Sequence, residues 1–248
     1  MPFIFGFNPV LEALEAGQSI DKIYLQSGRR NSMIGRIYRL AKEQKIQVVN
    51  ADQKRMRLIA GNNKHHGIAA FLSNIRYIAL EDLVEKTQKK GEHPNLIMLD
   101  KIQDPHNFGA IIRSAEVLGA HGVLFSLRES VPVTEVVIKA SAGAVFNIDI
   151  CKIDNMARAI DYLRNCGLWI YSSSAHTGKE LWQMDFLQPQ AIIIGSEGKG
   201  VRPLLLKKSD EIFTIPQGGK TESLNASVST GIILSEVLRQ RRMKIPSQ

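Results

Sequence analysis

Three segments of the chain each join a short apolar run to a turn rich in Gly, Pro, Asn or Ser, and then to a helical pattern. They span residues 99–125, 191–216 and 217–232. In open α/β sheets, strand ends and helix N-termini converge at such junctions, and ligands bind there. Because polar side chains stand at all three turns, we predict one site built from several loops at one end of a sheet.

The second part of the chain, residues 95–248, alternates apolar runs with helix-period segments. The predicted strands are 95–100, 122–125, 146–150, 168–173 and 191–195, and the predicted helices are 107–119, 134–141, 155–165 and 225–241. Strands that alternate with helices of this length indicate a mostly parallel sheet covered on both faces. The predicted fold class is therefore α/β.

The N-terminal part, residues 1–73, alternates helix and strand on a smaller scale and predicts a small αβα domain. Asn8 is expected to cap a first helix that starts at Pro9. Later helices are predicted at 32–44 and 53–60, and strands at 21–26, 45–50 and 67–72. Residues 74–94 carry one short amphipathic helix and a polar Lys-Lys-Gly stretch, which we interpret as a joint between two domains.

Positive charge is concentrated in the first of these two domains. Residues 1–73 contain eleven Lys or Arg and five Asp or Glu, a net charge of +6, whereas the whole chain of 248 residues carries +8. A basic module ahead of a nearly neutral one indicates contact with RNA or DNA, made mainly by the first module. The alternative is a solvated basic surface that keeps the protein soluble.

Several classes of protein are disfavoured by what the sequence lacks. No run approaches the roughly 18 apolar residues of a membrane span, and the start has no signal-peptide pattern. Cys151 and Cys166 are isolated, which predicts reduced thiols, a cytoplasmic protein and no metal site. No G-x-G-x-x-G follows a strand, and the GGKT at 218–221 lacks the first Gly of a P-loop. A hydride-transfer enzyme or an ATPase is therefore disfavoured.

The junction segments also carry motifs in a fixed order. These are Asp104-Pro105-His106-Asn107 with Gly109 and Arg113, Gly195-x-Glu197-Gly198-x-Gly200, Ile215-Pro216, and Ser223-Leu224-Asn225. In order and spacing they resemble the SpoU/TrmH-type SPOUT methyltransferases, which move a methyl group from S-adenosylmethionine to a ribose 2′-oxygen in RNA. Lys220-Thr221-Glu222 makes one loop more charged than is usual in that family.

The resemblance implies S-adenosylmethionine as the cofactor and a homodimer whose active site lies at the subunit contact. It also implies a trefoil knot over roughly residues 190–241, although true knots are nearly absent among proteins generally. Val228, Ile232–Ile233 and Val237 form an apolar face on the last predicted helix. That face is expected to be either part of the dimer contact or part of the core.

Two N-terminal motifs, GFNPVLEAL from residue 6 and HHGIAA at 65–70, carry a second resemblance. They are similar to the substrate-binding domain of bacterial large-subunit rRNA guanosine-2′-O-methyltransferases, which has a fold like ribosomal protein L30e. This implies large-subunit (23S) ribosomal RNA as the partner and a guanosine ribose as the methyl acceptor. The alternatives are a tRNA 2′-O-methyltransferase, an inactive ribosome-associated RNA-binding protein, and an α/β enzyme using another nucleotide.

Methyl transfer to a 2′-hydroxyl needs a site that orients both reactants and stabilises a developing alkoxide. Arg113 is the residue we expect to do this. Its guanidinium stays protonated under ordinary conditions, so we favour electrostatic activation of the hydroxyl. The resemblance implies instead a general-base role, and a surface salt bridge is the structural alternative.

The other candidate residues each have a structural alternative. Asn107 and Asn225 stand at predicted helix starts, where capping alone would explain them. Ser223 is expected either to hydrogen-bond the ribose or only to form the turn. Glu197 needs a partner after a buried strand, for which Arg113 or a ribose hydroxyl is expected.

Cofactor binding is assigned by the resemblance alone. It implies that backbone groups at the positions of Gly195, Ile215 and Leu224 hold the adenosine and methionine parts of S-adenosylmethionine. Glycine lets the backbone approach a ligand closely, and apolar side chains suit an adenine slot.

Overall fold

We describe the protein from a computed structural model, which covers residues 3–15, 17–28, 31–61, 64–72, 75–126, 128, 130–219 and 223–243. The chain divides into two compact units, Met1–Arg76 and Tyr77–Gln248. Each unit has its own sheet.

The first unit is a four-stranded sheet with helices on both faces. Its elements are β1 (Phe3–Phe5), α1 (Phe7–Glu15), β2 (Ile20–Gln26), α2 (Ile34–Glu43), β3 (Gln47–Ala51), α3 (Gln53–Ala60) and β4 (Ile68–Leu72). The strand order is β1-β4-β2-β3, and only β2 and β3 run parallel. Buried side chains of α1 and α2 pack on one face of this sheet, and those of α3 pack on the other.

One prediction for this unit was wrong, and one strand was not predicted. The first helix begins at Phe7, so Asn8 lies inside it and does not cap it. The three-residue strand β1 was not predicted, because so short a segment cannot display a periodic pattern.

The second unit contains a seven-stranded sheet flanked by helices. Its helices are α4 (Leu80–Lys89), α5 (Pro105–Val117), α6 (Glu135–Ala140), α7 (Met156–Asn165), α8 (Pro203–Lys208) and α9 (Ala226–Met243). Its strands are β5 (Asn95–Asp100), β6 (Gly122–Phe125), β7 (Asp149–Lys152), β8 (Trp169–Ser174), β9 (Lys179–Glu180), β10 (Gln190–Gly195) and β11 (Glu211–Thr214).

This sheet confirms the α/β fold class. The strand order is β7-β6-β5-β10-β8-β11-β9, and every pairing in it is parallel. All six residues of β5 are buried, as expected for a central parallel strand covered on both faces. The expected knot crosses residues 220–222, which lie outside the described part of the chain, and it remains an expectation of the resemblance.

The predicted strand over 146–150 is displaced in the structure. Ala144–Phe146 form a turn of 3₁₀ helix, and the strand begins only at Asp149. Of the apolar residues that predicted the strand, Ile148 and Ile150 are buried but Phe146 is 62% exposed, so the apolar pattern does not mark extended structure before Asp149. Strands β9 and β11 and helix α8 were not predicted from the sequence.

Much of the expected joint at 74–94 is part of the second unit. The backbone N–H of Ile78 donates to the Ile150 carbonyl at 3.0 Å, which places it beside β7. Leu80, Leu83 and Val84 of α4 lie in the main core of this unit. Their burial against the sheet is what distinguishes this segment from a solvated linker.

The apolar face predicted on the last helix is divided between two environments. Ile233 and Val237 are buried in the unit, whereas Val228 is 50% exposed and Ile232 is 36% exposed. No helix in the described residues is both long and apolar enough to cross a membrane.

Candidate active site

A cavity of about 410 Å³ opens where β8 and β10 end. It is lined by residues 173–176 at the end of β8, by residues 194–201 at the end of β10, and by Leu206, Ile215, Gln217, Ser223, Leu224, Ala226 and Ser229. All of these strands are parallel, so the cavity lies at the carboxyl edge of the sheet, as the three junction segments predicted.

The loop after β10 folds tightly back on itself and forms one wall of the cavity. The backbone N–H of Gly200 donates to the Ser196 carbonyl at 2.8 Å, and the two residues form a β-bridge. A Cβ on Gly195 would overlap the backbone of Gly200 and Val201. The close approach of these segments is therefore possible only because residue 195 lacks a side chain.

A buried ion pair anchors the end of this loop. Asp100 ends β5 directly beside Gly195 in the sheet, and its side chain is wholly buried. The Arg202 side chain donates Nε and Nη2 to Asp100 Oδ1, both at 2.7 Å, and its backbone N–H donates to Oδ2 at 2.9 Å. A buried carboxylate needs such compensation, so the pair fixes where the loop ends.

Glu197 sits at the tip of the same loop and is held by two amide side chains. Asn107 Nδ2 donates to Glu197 Oε1 at 2.9 Å, and Asn225 Nδ2 donates to the same oxygen. Asn225 Nδ2 also lies 3.0 Å from Asn107 Oδ1 and donates to it. Of the two partners expected for Glu197, Arg113 makes no hydrogen bond to it in the described residues, where the two amides hold the carboxylate instead. The ribose hydroxyl stays a prediction.

The two asparagines differ in their place at the helix ends. Asn225 does cap α9, because its Oδ1 accepts from the backbone N–H groups of Ser227 at 2.9 Å and Val228 at 3.4 Å. Those contacts fix its orientation and leave Nδ2 to face Glu197. Asn107 is not a cap: Asp104 caps α5 by accepting from the N–H groups of His106 and Asn107. Pro105 takes the first helical position, where its missing N–H has no cost.

The structure brings together seven of the eight residues singled out from the sequence. Gly195, Ile215 and Leu224, expected to bind the cofactor, line one cavity together with Glu197 and Ser223. Asn107 and Asn225 join that group through their bonds to Glu197. The charged tripeptide at 220–222 lies outside the described residues.

Arg113 is the residue that stands apart. It lies six residues after Asn107 on α5, about 9 Å further along the axis and roughly 120° around it. It is exposed, it does not line the cavity, and it has no hydrogen bond or salt bridge to any described residue. A surface salt bridge within the described chain therefore does not explain it, and its catalytic role stays a prediction.

Other residues around the cavity were not singled out from the sequence. Asp100 and Arg202 anchor the loop, and residues 173–176 supply one wall. A signal existed for Asp100, because a carboxylate that ends an otherwise apolar buried strand requires a partner. The sequence offered no comparable signal that this partner is Arg202.

The polar network and the cavity lie at the carboxyl edge of a parallel α/β sheet, which is the place where enzymes of this fold class bind nucleotide-like ligands. The chain belongs to the SpoU rRNA Methylase family, whose sequence model matches residues 94–235. A second family model, described as RNA 2'-O ribose methyltransferase substrate binding, matches residues 3–78. S-adenosylmethionine is the cofactor of SpoU methylases.

Known proteins resemble the chain along nearly its whole length. It is 34% identical over 240 residues to YacO of Bacillus subtilis, named as a TrmH family tRNA/rRNA methyltransferase, and the match covers 96% of each protein. The SpoU methyltransferase AviRb of Streptomyces viridochromogenes shares the fold with a TM-score of 0.63 at 21% identity, over 97% of this chain and 90% of AviRb. An AdoMet-bound rRNA methyltransferase of Sinorhizobium meliloti shares it with a TM-score of 0.60 at 24% identity, over 98% and 87%.

Proposed function

We propose that the chain transfers a methyl group from S-adenosylmethionine to the 2′-hydroxyl of a guanosine ribose in large-subunit ribosomal RNA. The observation that carries the proposal is the Glu197 carboxylate, held by Asn107 and Asn225 at the edge of the cavity. The family match over residues 94–235 supports RNA methylation. The substrate-binding match over residues 3–78 and the net charge of +6 in that region support an RNA acceptor.

The cavity fits S-adenosylmethionine in size and chemistry. Its volume of about 410 Å³ lies in the range of small-molecule sites, roughly 300–1,000 Å³. Ile194, Ile215 and Leu224 provide apolar surface of the kind that an adenine ring needs. The missing Cβ at Gly195 lets the loop close into this compact wall. These residues would hold the cofactor, which when bound supplies a methyl group on a positively charged sulfonium.

The side chains beside the cavity serve to orient the acceptor. A bound cofactor would supply the methyl group and keep the electron pair of the carbon–sulfur bond, and the ribose 2′-hydroxyl would give its proton to solvent as its oxygen takes the methyl group. Glu197 Oε1 accepts from both amides, and Oε2 accepts no hydrogen bond from the described residues. An exposed carboxylate oxygen held in this way can accept a hydrogen bond from a ribose hydroxyl. Ser223 lines the same cavity, where its hydroxyl can contact the ribose.

We further propose that Arg113 acts in a site shared between two subunits of a homodimer. Arg113 and Val117 lie one turn apart on α5, and Val117 is 67% exposed. Helix α9 packs against α5 and leaves Val228 and Ile232 exposed. Exposed apolar side chains grouped on packed helices are typical of a subunit contact. Such a contact would bring each Arg113 to its partner's cavity.

Complementation tests the shared site. Arg113→Ala and Glu197→Ala variants are each expected to be inactive as homodimers. Mixed by co-refolding or co-expression, they form heterodimers in which one of the two sites carries both changes and the other carries neither. Recovery of part of the wild-type activity supports the shared site. No recovery in demonstrated heterodimers places Arg113 and Glu197 in the same subunit's site, contrary to the proposal.

The acceptor is tested by methyl transfer to different RNAs. Purified protein is incubated with S-adenosylmethionine labelled in the methyl group, together with protein-free large-subunit rRNA or bulk tRNA from the same cells. We expect label in the large-subunit rRNA and none in tRNA. Label in tRNA alone would assign the other class of acceptor, and the mapped nucleotide shows whether it is a guanosine.

A further inference from the structure

One face of the sheet in the first unit carries a cluster of aromatic rings. Two rows of side-by-side residues cross strands β1, β4 and β2. The first row is Phe3, Phe71 and Lys22, and the second is Phe5, Ala69 and Tyr24. Alternate residues of a strand point to opposite faces. The two rows therefore share a face, which holds Phe3, Phe5, Tyr24, Phe71 and Lys22; we call it the aromatic face.

The rings of the aromatic face lie close together and are only partly covered. Phe3 lies 5.1 Å from Phe71, 6.0 Å from Phe5 and 6.4 Å from Tyr24, measured between ring centroids. Helices α1 and α2 cover the opposite face, and among the described elements of this unit the eight-residue α3 is the helix that packs on the aromatic face. Phe3, Phe5 and Tyr24 consequently remain half-buried, with part of each ring open to a ligand.

Two cations lie among these rings. The Arg55 guanidinium sits 5.5 Å from the centroid of the Tyr24 ring, and Lys22 stands in the row of Phe3 and Phe71. Burial lowers the pKa of Lys22, and the positive charge of Arg55 lowers it further, because the two cations are close enough to repel each other. Neither makes a salt bridge to a described residue, and Asp52 uses its Oδ1 to cap α3. The neighbouring Asp21 carboxylate acts in the opposite direction and raises the pKa of Lys22, but it is the smallest of the three effects. Two cations this close together favour an anionic ligand.

We propose that the aromatic face binds an unpaired RNA strand, with bases stacked on Tyr24 and Phe5 and backbone phosphates beside Lys22 and Arg55. This rests on the proposed function, for which RNA is the substrate. Aromatic rings combined with cations are how proteins hold single-stranded nucleic acid, because each base offers a flat face and each linkage a charge. In a duplex the base faces are stacked inside the helix and cannot reach Tyr24.

Matched variants of the full-length chain test this assignment. Tyr24→Leu removes a ring from the aromatic face, and Tyr38→Leu removes a 41% exposed ring from α2, which covers the opposite face. Arg55→Gln and Arg39→Gln form a second pair on α3 and α2. Affinity for a short oligouridylate, and for its duplex with oligoadenylate, is measured by fluorescence anisotropy at several salt concentrations.

We expect Tyr24→Leu to weaken single-strand binding roughly 5- to 150-fold, the range for one stacked base, and to leave duplex binding unchanged. Tyr38→Leu should bind like the wild type. Arg55→Gln should lower the slope of log affinity against log salt by about 0.7, whereas Arg39→Gln should not. Tyr24→Phe should retain binding, which separates loss of the ring from loss of the fold.

The proposal would be overturned if Tyr24→Leu bound the single strand as tightly as the wild type does. It would also be overturned if Tyr24→Leu and Tyr38→Leu lost the same amount of affinity for the single strand. An unchanged salt slope in Arg55→Gln would overturn it as well. Calorimetry with S-adenosylmethionine on the same proteins keeps the two proposals apart. We expect cofactor binding in every variant, and its absence in the wild type would count against the proposed function and not against the aromatic face.

Discussion

Asn225 has two roles in the structure that one substitution can separate. Its Oδ1 caps α9 by accepting from the Ser227 N–H at 2.9 Å, while its Nδ2 donates to Glu197 and Asn107. Asn225→Asp keeps an oxygen for the cap and replaces the amide donor with a second carboxylate beside Glu197. The substitution therefore leaves the helix start intact and breaks the polar network.

The two effects differ in size. Asn and Asp cap helices about equally well, whereas loss of a cap costs about 1 kcal/mol, so stability should change by less than that. A hydrogen bond to a charged group is worth roughly 1.5–3 kcal/mol. Its loss at Glu197 corresponds to a fall of about 10- to 150-fold in kcat/KM if the network orients the acceptor. Repulsion between the two carboxylates acts in the same direction, although solvent screens it at this exposed position.

A second helix provides the matched control. Asn155 caps α7 by accepting from the Arg158 N–H at 3.1 Å, and it does not line the cavity. Methyl transfer to rRNA and thermal unfolding are measured for Asn225→Asp and Asn155→Asp in parallel. We expect activity loss in the first variant only, with both melting temperatures near that of the wild type. Full activity in Asn225→Asp would reduce Asn225 to a helix cap.

Three other substitutions probe the loop and the last helix. Gly195→Ala places a Cβ against the backbone that follows in the loop, so calorimetry should show loss of S-adenosylmethionine binding. The control is Gly198→Ala, whose added Cβ would meet no atom of the protein, and this variant should bind the cofactor normally. Arg202→Met leaves the buried Asp100 carboxylate without its guanidinium partner, so the free energy of unfolding measured by urea denaturation should fall by about 3–5 kcal/mol. Adding Asp100→Asn to this variant should restore part of the lost stability, because it removes the unpaired buried charge. Arg241→Met removes hydrogen bonds to four backbone carbonyls and should lower the melting temperature by several degrees. An unchanged melting temperature would mean that these hydrogen bonds add no net stability.

Much of the fold could be predicted because burial leaves a strong pattern in the sequence. The strands Asn95–Asp100 and Gly122–Phe125 were predicted to the residue, since continuous apolar runs between turns mark buried parallel strands. The start of α5 was misplaced by two residues, although Asp104 followed by Pro105 is a typical cap and first position. That signal was present and was assigned to the ligand site instead.

What the sequence could not supply is which distant side chains meet. Asp100 and Arg202 pair across 102 positions of the chain, and periodicity carries no information about such pairing. The same holds for Glu197, whose partners Asn107 and Asn225 lie 90 and 28 positions away. Motif order brought these residues to notice, but only the parallel sheet places their loops at one edge.

Digestion of methylated RNA to nucleosides tests the central claim most directly. After transfer of a labelled methyl group by the wild-type protein, the product is resolved by mass spectrometry into ribose-methylated and base-methylated nucleosides. The account predicts that the label is found on the ribose 2′-oxygen and is lost in the Glu197→Ala variant. Label on a base, or an undiminished ribose product from Glu197→Ala, would contradict it.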